Sequence, residues 1–228
     1  YIEGTEFDIE EAKEIVDSGI PMPRRNEDSH DILGTFKILS NRAEMIRVPT
    51  SPEELFAILS HRHTILLEGR PHMNPGVFKM RNNRAGQTEF VDCQLVKGTL
   101  SQGFKYYSAL TDPFARAIFM MFMISEVHPF NDGNGRIARV MMNAEFVRAD
   151  QSRIIVPTVF REDYILALRK LTRHKDPMAY INVMTKLHQF SDSLYGTDFT
   201  ELKNYLAACN AYEEPSQAKL QITDRTIL

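Results

Sequence analysis

The residues most able to carry out chemistry lie in one short stretch, HPFNDGNGRIAR, which runs from His128 to Arg139. Gly133 and Gly135 allow the backbone to turn tightly. A tight turn that leads into a helix points several backbone N–H groups in one direction, which makes an anion site. The spacing therefore predicts a phosphate-binding loop at the N-terminus of a helix.

Polar and charged side chains are placed to assist this predicted loop. His128 offers an imidazole base suited to neutral pH, and Asp132 offers hard oxygen atoms for Mg²⁺, which binds one or two carboxylates together with phosphate oxygens. On the following helix, one face is apolar and another carries Arg136, Arg139 and Asn143. A purely structural interpretation accounts for each residue singly, but not for their conjunction. We therefore interpret the stretch as a phosphate-transfer site.

The stretch resembles the signature of the Fic family, HxFx[DE]GNGRxxR, at every specified position. The resemblance implies that His128 deprotonates an acceptor hydroxyl, that Phe130 anchors the loop and that Asp132 holds Mg²⁺. The residues implied to bind the nucleotide are Gly133, Asn134, Gly135, Arg136 and Arg139, and Asn143 is a further candidate on the same helix.

The resemblance also implies a reaction, in which a Ser, Thr or Tyr hydroxyl attacks the α-phosphorus of ATP and AMP stays on the protein. Three alternatives stay open: transfer of another phosphate-containing group, removal of AMP, and nucleotide binding without turnover. We expect a protein substrate of unknown identity. Self-modification, with Tyr106 or Tyr107 as acceptors, and a homodimer are further options.

The first residues of the chain suggest a built-in brake. Fic proteins often carry an inhibitory helix with the pattern [ST]xxxE[GN], and Glu3-Gly4 resembles its end. We hypothesise that Glu3 forms a salt bridge with Arg139 and prevents productive binding of the γ-phosphate. The alternative is that Glu3 is an exposed acidic residue near a frayed terminus.

Composition limits the remaining function classes. Of the 228 residues, 43% are hydrophobic and 25% charged, which is typical of compact globular proteins. The net charge of −3, without a basic run, argues against nucleic-acid binding. The longest apolar run, from Ala117 to Ile124, is too short to cross a membrane. Two distant cysteines favour neither a disulfide framework nor a zinc site, and we expect a cytoplasmic protein.

Hydrophobic periodicity predicts an all-α, mainly helical fold with a small β-hairpin flap. Besides the helix after the motif, helices are predicted at about residues 8–18, 31–45, 51–67, 112–127, 162–172, 177–190 and 198–208. Ser51-Pro52 and Asp112-Pro113 mark the starts of two of them, and Asp28 or Ser29 is the expected cap of the helix at 31–45. We predict an inhibitory segment at residues 1–26, a Fic catalytic core at 27–190 and a C-terminal helical extension at 191–228.

The hairpin is predicted within residues 75–91, with strands at 77–80 and 88–91 around a turn at 82–86. Its placement is similar to that of the Fic flap, which aligns a target segment by backbone pairing. His61, His63 and His72 lack zinc-type spacing, so we expect them to be surface or partly packed residues.

Overall fold

In the computed structural model, the described residues are 7–86 and 88–223, and they form ten α-helices and one two-stranded sheet. The mainly helical fold with a small hairpin is thus confirmed. The chain divides into two units, which adjoin in sequence at Gln151 and Ser152. The three-part division into residues 1–26, 27–190 and 191–228 stays a prediction.

The first unit holds α1 to α7 and the hairpin. The helices are α1 (Ile9–Ser18), α2 (Asn26–Leu39), α3 (Arg42–Met45), α4 (Pro52–Leu66), α5 (Val96–Ala109), α6 (Pro113–Val127) and α7 (Asn134–Arg148). The second unit holds α8 (Arg161–His174), α9 (Pro177–Asp192) and α10 (Phe199–Ala208).

Helices α6 and α7 form the centre of the first unit and pack mainly against each other. Asp112 caps α6 by accepting a hydrogen bond from the N–H of Ala115, and Pro113 occupies the first turn, as the sequence predicts. The buried side chains of α6 include Ala117, Met120, Met121 and Ile124, and those of α7 include Ile137, Val140, Met141 and Ala144. The helices that flank the motif are therefore anchored in the core.

Helix α4 is also predicted correctly, since Ser51 caps it and Pro52 begins it. It approaches α2 closely at Gly34, where an added Cβ would lie 2.4 Å from the carbonyl oxygen of Ile65. A glycine is required there because any side chain would push the two helices apart. The close approach brings the first turns of α2 near the loop that precedes α7.

Two helix predictions need correction. The helix expected at residues 31–45 is two helices, because Asn41 interrupts the path and caps α3 by accepting from the N–H of Glu44. Asp28 and Ser29 lie inside α2 and do not cap it.

Helix α5 was not predicted at all, although it buries one face against α6 and α7 through residues such as Tyr107. The Tyr107 hydroxyl donates to Glu145, and the Arg116 guanidinium also binds Glu145.

The hairpin is shorter than predicted. Strand β1 (Arg84–Ala85) pairs antiparallel with β2 (Thr88–Glu89), and we call this pair of strands the flap. The strand expected at residues 77–80 is absent from the described structure. Instead, Phe78 packs against Phe56 and Phe130, and the N–H of Lys79 donates to the carbonyl of Pro129. The segment has exchanged strand pairing for contacts with the motif loop.

In the second unit, α8 packs against α9 around the buried side chains of Tyr164, Ala167, Tyr180, Met184 and Leu187. The three helices lie close to their predicted bounds. None of the helices in the described parts of the chain has the length and apolar character needed to cross a bilayer.

Candidate active site

The motif loop, residues 128–133, connects α6 to α7. Helix α6 ends where His128 adopts a left-handed conformation with φ of 50°. Gly133, with φ of 71°, precedes α7 and needs glycine's freedom in the left-handed region. Because α7 begins at Asn134, the N–H groups of its first turn have no carbonyl within the helix and face the loop. This is the geometry predicted for the anion site.

Asn134 holds the motif loop in shape. Its side-chain oxygen accepts from the N–H of Phe130, and its amide nitrogen donates to the carbonyl of Phe130, each at 2.8 Å. The residue is 2% exposed. The side chain of this predicted nucleotide ligand is therefore committed to the loop, which leaves its backbone N–H as the group able to bind an anion. Spacing alone could not reveal this bracing role.

Phe130, which the family resemblance implies to be the anchor of the loop, is fully buried. Its ring stacks on the His63 imidazole with centroids 3.7 Å apart and planes 6° apart. The expectation that His63 is a surface or partly packed residue is wrong, because its side chain is completely buried. His61 and His72 are 52% and 55% exposed, as expected.

His63 links two loops through its ring nitrogens. Nδ1 accepts from the N–H of Gly76 at 2.9 Å, so the proton must lie on Nε2, which donates to the carbonyl of Asp132 at 2.9 Å. Burial lowers the pKa of His63 to about 4, so the ring is neutral near pH 7. The sequence held a signal for it, since His63 continues the apolar stripe formed by Leu55, Leu59 and Leu66.

The orientation of His128 suits a base. Its Nδ1 lies 3.1 Å from the carbonyl of Ser125, which can only accept, so Nδ1 carries the proton and the lone pair of the neutral ring lies on Nε2. One face of the imidazole stacks on Phe90, with centroids 3.6 Å apart and planes 3° apart. Two contacts therefore fix the ring that the sequence predicts to be catalytic.

Arg136 lies beside the motif loop but is held by carboxylates. It forms a short ion pair with Asp31 and a longer one, 3.3 Å, with Asp132. Asp31 is 2% exposed and also binds Arg70, whose Nε lies 3.0 Å from its Oδ2. Sequence reasoning missed Asp31 and Arg70, because their positions in α2 and after α4 gave no sign that they approach the motif.

The other predicted residues of α7 follow the loop. Arg139 is half-buried one turn after Arg136, and Asn143 is 7% exposed a further turn along. Glu3, the predicted partner of Arg139, lies outside the described residues, so the inhibitory salt bridge stays a prediction.

Asp132 is the residue that could hold a metal. Its side chain is 36% exposed, with Oδ1 accepting from the N–H of Gly133 at 2.7 Å. Within residues 7–86 and 88–223, no group of three His, Cys, Asp or Glu side chains could enclose a metal ion. A single carboxylate beside an anion loop fits Mg²⁺, because this ion takes its other ligands from phosphate oxygens and water.

Comparisons with known proteins agree with this geometry. The model of the Fic/DOC family matches residues 50–145, which include the whole motif. The chain is 30% identical over 115 residues to protein adenylyltransferase fic-1 of Caenorhabditis elegans, and 28% identical over 107 residues to a Fido domain-containing protein of Dictyostelium discoideum. These segments cover 50% and 45% of this chain, and 22% and 75% of the respective relatives.

A solved structure shows the same fold. The Fic domain containing signaling protein from Bacteroides thetaiotaomicron superposes with a TM-score of 0.71 at 17% identity, over 85% of this chain and 81% of that one. Residues 50–145 therefore form a Fic domain, by the match to the family model and by the fold. The chain spans about a fifth of the length of the C. elegans relative.

Proposed function

We propose that this protein is an adenylyltransferase that moves AMP from ATP to a Ser, Thr or Tyr hydroxyl of a protein. The observation that carries the proposal is the juxtaposition of two features. His128 has the lone pair of its neutral ring on Nε2, and α7 begins a few residues further along with no side-chain cap on its first backbone N–H groups in the described structure. The name of the C. elegans relative, a protein adenylyltransferase, supports this activity.

In the proposed reaction, the acceptor oxygen attacks the α-phosphorus of ATP in line with the departing pyrophosphate. The hydroxyl proton moves to Nε2 of His128, a new P–O bond forms to the acceptor, and the bond from the α-phosphorus to the bridging oxygen breaks. Nδ1 keeps its proton, because its hydrogen bond to Ser125 persists. The ring then carries a positive charge beside the phosphates, which favours proton uptake.

The motif loop would stabilise the charge on the phosphates. The first N–H groups of α7, from Asn134 and Gly135, would bind phosphate oxygens, and Arg136 and Arg139 would bind the outer phosphates. Mg²⁺, held by Asp132, would neutralise charge on the phosphates as pyrophosphate leaves. The flap would align the acceptor segment by backbone pairing along an open strand edge.

We also propose that Glu3 inhibits the site through Arg139. A carboxylate there would occupy the guanidinium and repel the γ-phosphate. Replacing Glu3 with Gly should therefore raise self-modification by ATP. Equal activity of the two chains would remove this part of the proposal without affecting the assignment of His128.

The test is intact-mass measurement after incubation with ATP and Mg²⁺, using the natural chain, Glu3→Gly, and Glu3→Gly combined with His128→Ala. We expect an AMP-sized addition to Glu3→Gly, and its rate should fall by about 10²–10⁴ without the His128 base. His72→Ala is the matched control, because His72 is exposed and far from the motif in sequence. It should leave the rate unchanged.

The same measurement separates the alternatives. A phosphate-sized addition would replace AMP transfer by transfer of another group. Tight ATP binding with no adduct in any variant would instead identify a nucleotide-binding regulatory module. Loss of AMP from a modified protein added to the assay would identify removal of AMP as the dominant activity.

A further inference from the structure

The root of the flap is tied to the motif loop by one amide side chain. Asn83, the residue before β1, donates from Nδ2 to the carbonyl of Phe130 at 2.9 Å and to that of His128 at 3.3 Å. Its Oδ1 accepts from Nζ of Lys79 at 2.7 Å. The amide orientation is unambiguous, because carbonyls only accept and an ammonium only donates.

Lys79 also connects the root of the flap to the motif region. It is 3% exposed, and its Nζ also donates to the carbonyl of Val127 at 3.2 Å, while its backbone N–H donates to Pro129. Burial lowers the pKa of Lys79. A buried ammonium without a carboxylate partner is costly unless its donors are used, so this position is specified by the carbonyls that it binds.

The far end of the flap contacts the same residue of the loop. Phe90, which follows β2, covers one face of the His128 imidazole, and its N–H donates to the carbonyl of Asn83 at 3.3 Å. Asn83 and Phe90 thus close the base of the hairpin on each other, and both touch His128, one through the backbone and the other through the ring. A displacement of the flap root must therefore displace the base or break these contacts.

We infer that Asn83 is a positioning residue that joins the flap and His128 into one mechanical unit, so that a segment paired with the flap is set at a fixed distance from Nε2. This inference rests on the proposed function for its catalytic consequence, since it explains how an acceptor hydroxyl reaches the base. Asn83 itself touches neither nucleotide nor acceptor. Its removal should therefore affect the transfer step and leave ATP binding unchanged.

The chain supplies a matched control in the neighbouring residue. Asn82 also lies at the flap root, where its amide donates to Asp92 at 2.9 Å and its oxygen accepts from the N–H of Cys93 at 2.8 Å. These bonds join the root of the flap to the segment after β2 and do not involve the motif loop. Asn82→Ala and Asn83→Ala remove the same side chain from adjacent positions, but only the second cuts the tie to His128.

The first arm of the experiment is hydrogen–deuterium exchange on the natural chain and the two alanine variants. We expect Asn83→Ala to raise exchange by about tenfold both in the flap and in residues 127–131, since two carbonyl contacts are lost there. Asn82→Ala should raise exchange near residues 88–93 alone. Unchanged exchange in residues 127–131 of Asn83→Ala, or an equal rise in both variants, would overturn the inference.

The second arm measures AMP transfer and ATP affinity in the Glu3→Gly background. Asn83→Ala should lower kcat by about 10–100-fold, as expected for a misplaced reacting pair, while the ATP dissociation constant stays within about twofold. Asn83→Asp keeps the size but loses the donors, so it should resemble the alanine variant. A loss of ATP affinity equal to the loss of kcat would show a general structural role and would contradict a positioning role.

The two arms separate failure of this inference from failure of the proposed function. If neither the natural chain nor Glu3→Gly gains AMP, the proposed function is wrong, and the exchange arm still decides whether Asn83 couples the flap to His128. Unfolding of each variant in urea identifies any that fails to fold. In that event Asn83→Asp, which preserves the contact with Lys79, provides the exchange measurement.

Discussion

Two clusters of buried charge in the first unit differ in how completely their charges are enclosed. In the Arg62 cluster, Arg62 is 0% exposed and binds the Glu44 carboxylate at 3.0 Å and the carbonyls of Glu44 and Arg47 at 2.6 and 2.8 Å. In the Arg136 cluster, Arg136 is shared between Asp31 and the 36% exposed Asp132. The Arg62 guanidinium is closed off from solvent, whereas the Arg136 cluster reaches the surface through Asp132.

The difference separates a structural use of arginine from a functional one. The donors of Arg62 are occupied by groups that connect α3, α4 and, through Met141, α7. Within the described part of the chain, Nε of Arg136 is buried and has no hydrogen-bond partner. A guanidinium with an unused donor beside an anion site can take up an incoming phosphate oxygen, whereas a buried guanidinium bonded to protein groups through all three nitrogens is committed to the fold.

The largest effect on stability is expected from Arg62→Met. The substitution leaves the Glu44 carboxylate, 10% exposed, without its buried partner, and should lower the free energy of unfolding by about 3–5 kcal/mol. Urea unfolding measures the change. Arg42→Ala is the control, because the Arg42–Asp150 pair is 71% and 84% exposed and should contribute less than about 1 kcal/mol. Similar losses in both variants would contradict the closed character of the Arg62 cluster.

Arg136→Met should have the opposite profile. Asp31 keeps Arg70 as a partner, so the loss of stability should be about 1 kcal/mol, whereas AMP transfer should fall by about 10²-fold or more because charge on the phosphates loses a preorganised donor. Transfer rates in the Glu3→Gly background and urea unfolding measure the two effects. Arg148→Ala, at the exposed end of α7, should change neither. A large loss of stability without loss of transfer would assign Arg136 to the fold.

Asp31→Asn tests the link between the Arg136 cluster and α2. Arg70 keeps Glu27 and Asp28, and Arg136 keeps Asp132, so the free energy of unfolding should fall by about 1–2 kcal/mol, less than in Arg62→Met. Glu68→Gln serves as the control, since its pair with Lys37 spans 3.8 Å between mostly exposed side chains. A loss as large as that of Arg62→Met would show that the two clusters are equally closed.

The smallest effect is a pH dependence. Burial by itself would raise the pKa of Glu44, but hydrogen bonds and charge from Arg62 and Arg47 outweigh it and hold this pKa below its usual value of 4.5. A carboxylate with a lowered folded-state pKa contributes stability that is present above its unfolded pKa and is lost as the pH falls through the folded one. Urea unfolding of the natural chain should therefore weaken more below about pH 4.5 than that of Glu44→Gln. Parallel declines would contradict this assignment.

The sequence predicted the parts of the fold that rest on local signals. Caps and early prolines identified α4 and α6, and Gly133 identified the turn into α7. Helix α5 was not predicted because Gly98 and Gly103 weaken the helical pattern of its sequence. Gly103 has a tertiary reason, since an added Cβ would lie 2.5 Å from the Met123 sulfur, so the glycine permits close packing that the sequence cannot display.

The candidate site was predictable to the same limit. Residue type and spacing predicted the residues of the motif, and the structure places His128, Phe130, Asp132 and Arg136 on one loop and the first turn of one helix. The residues that hold them in place, such as His63, Asn83 and Asp31, are distant in the chain. Their roles depend on which backbone carbonyl or guanidinium lies nearby after folding, and no local pattern encodes that.

Because the Tyr107 hydroxyl is buried, attachment of AMP to it would report on fluctuations of helix α5. Burial and the neighbouring Glu145 raise the pKa of Tyr107, and the residue is 0% exposed, whereas Tyr106 next to it is 61% exposed. AMP attached to Tyr106 would require no change in the fold, because this side chain is already exposed. AMP attached to Tyr107 would require α5 to move away from the core. The ratio of AMP on Tyr107 to AMP on Tyr106 would therefore report how often α5 is displaced.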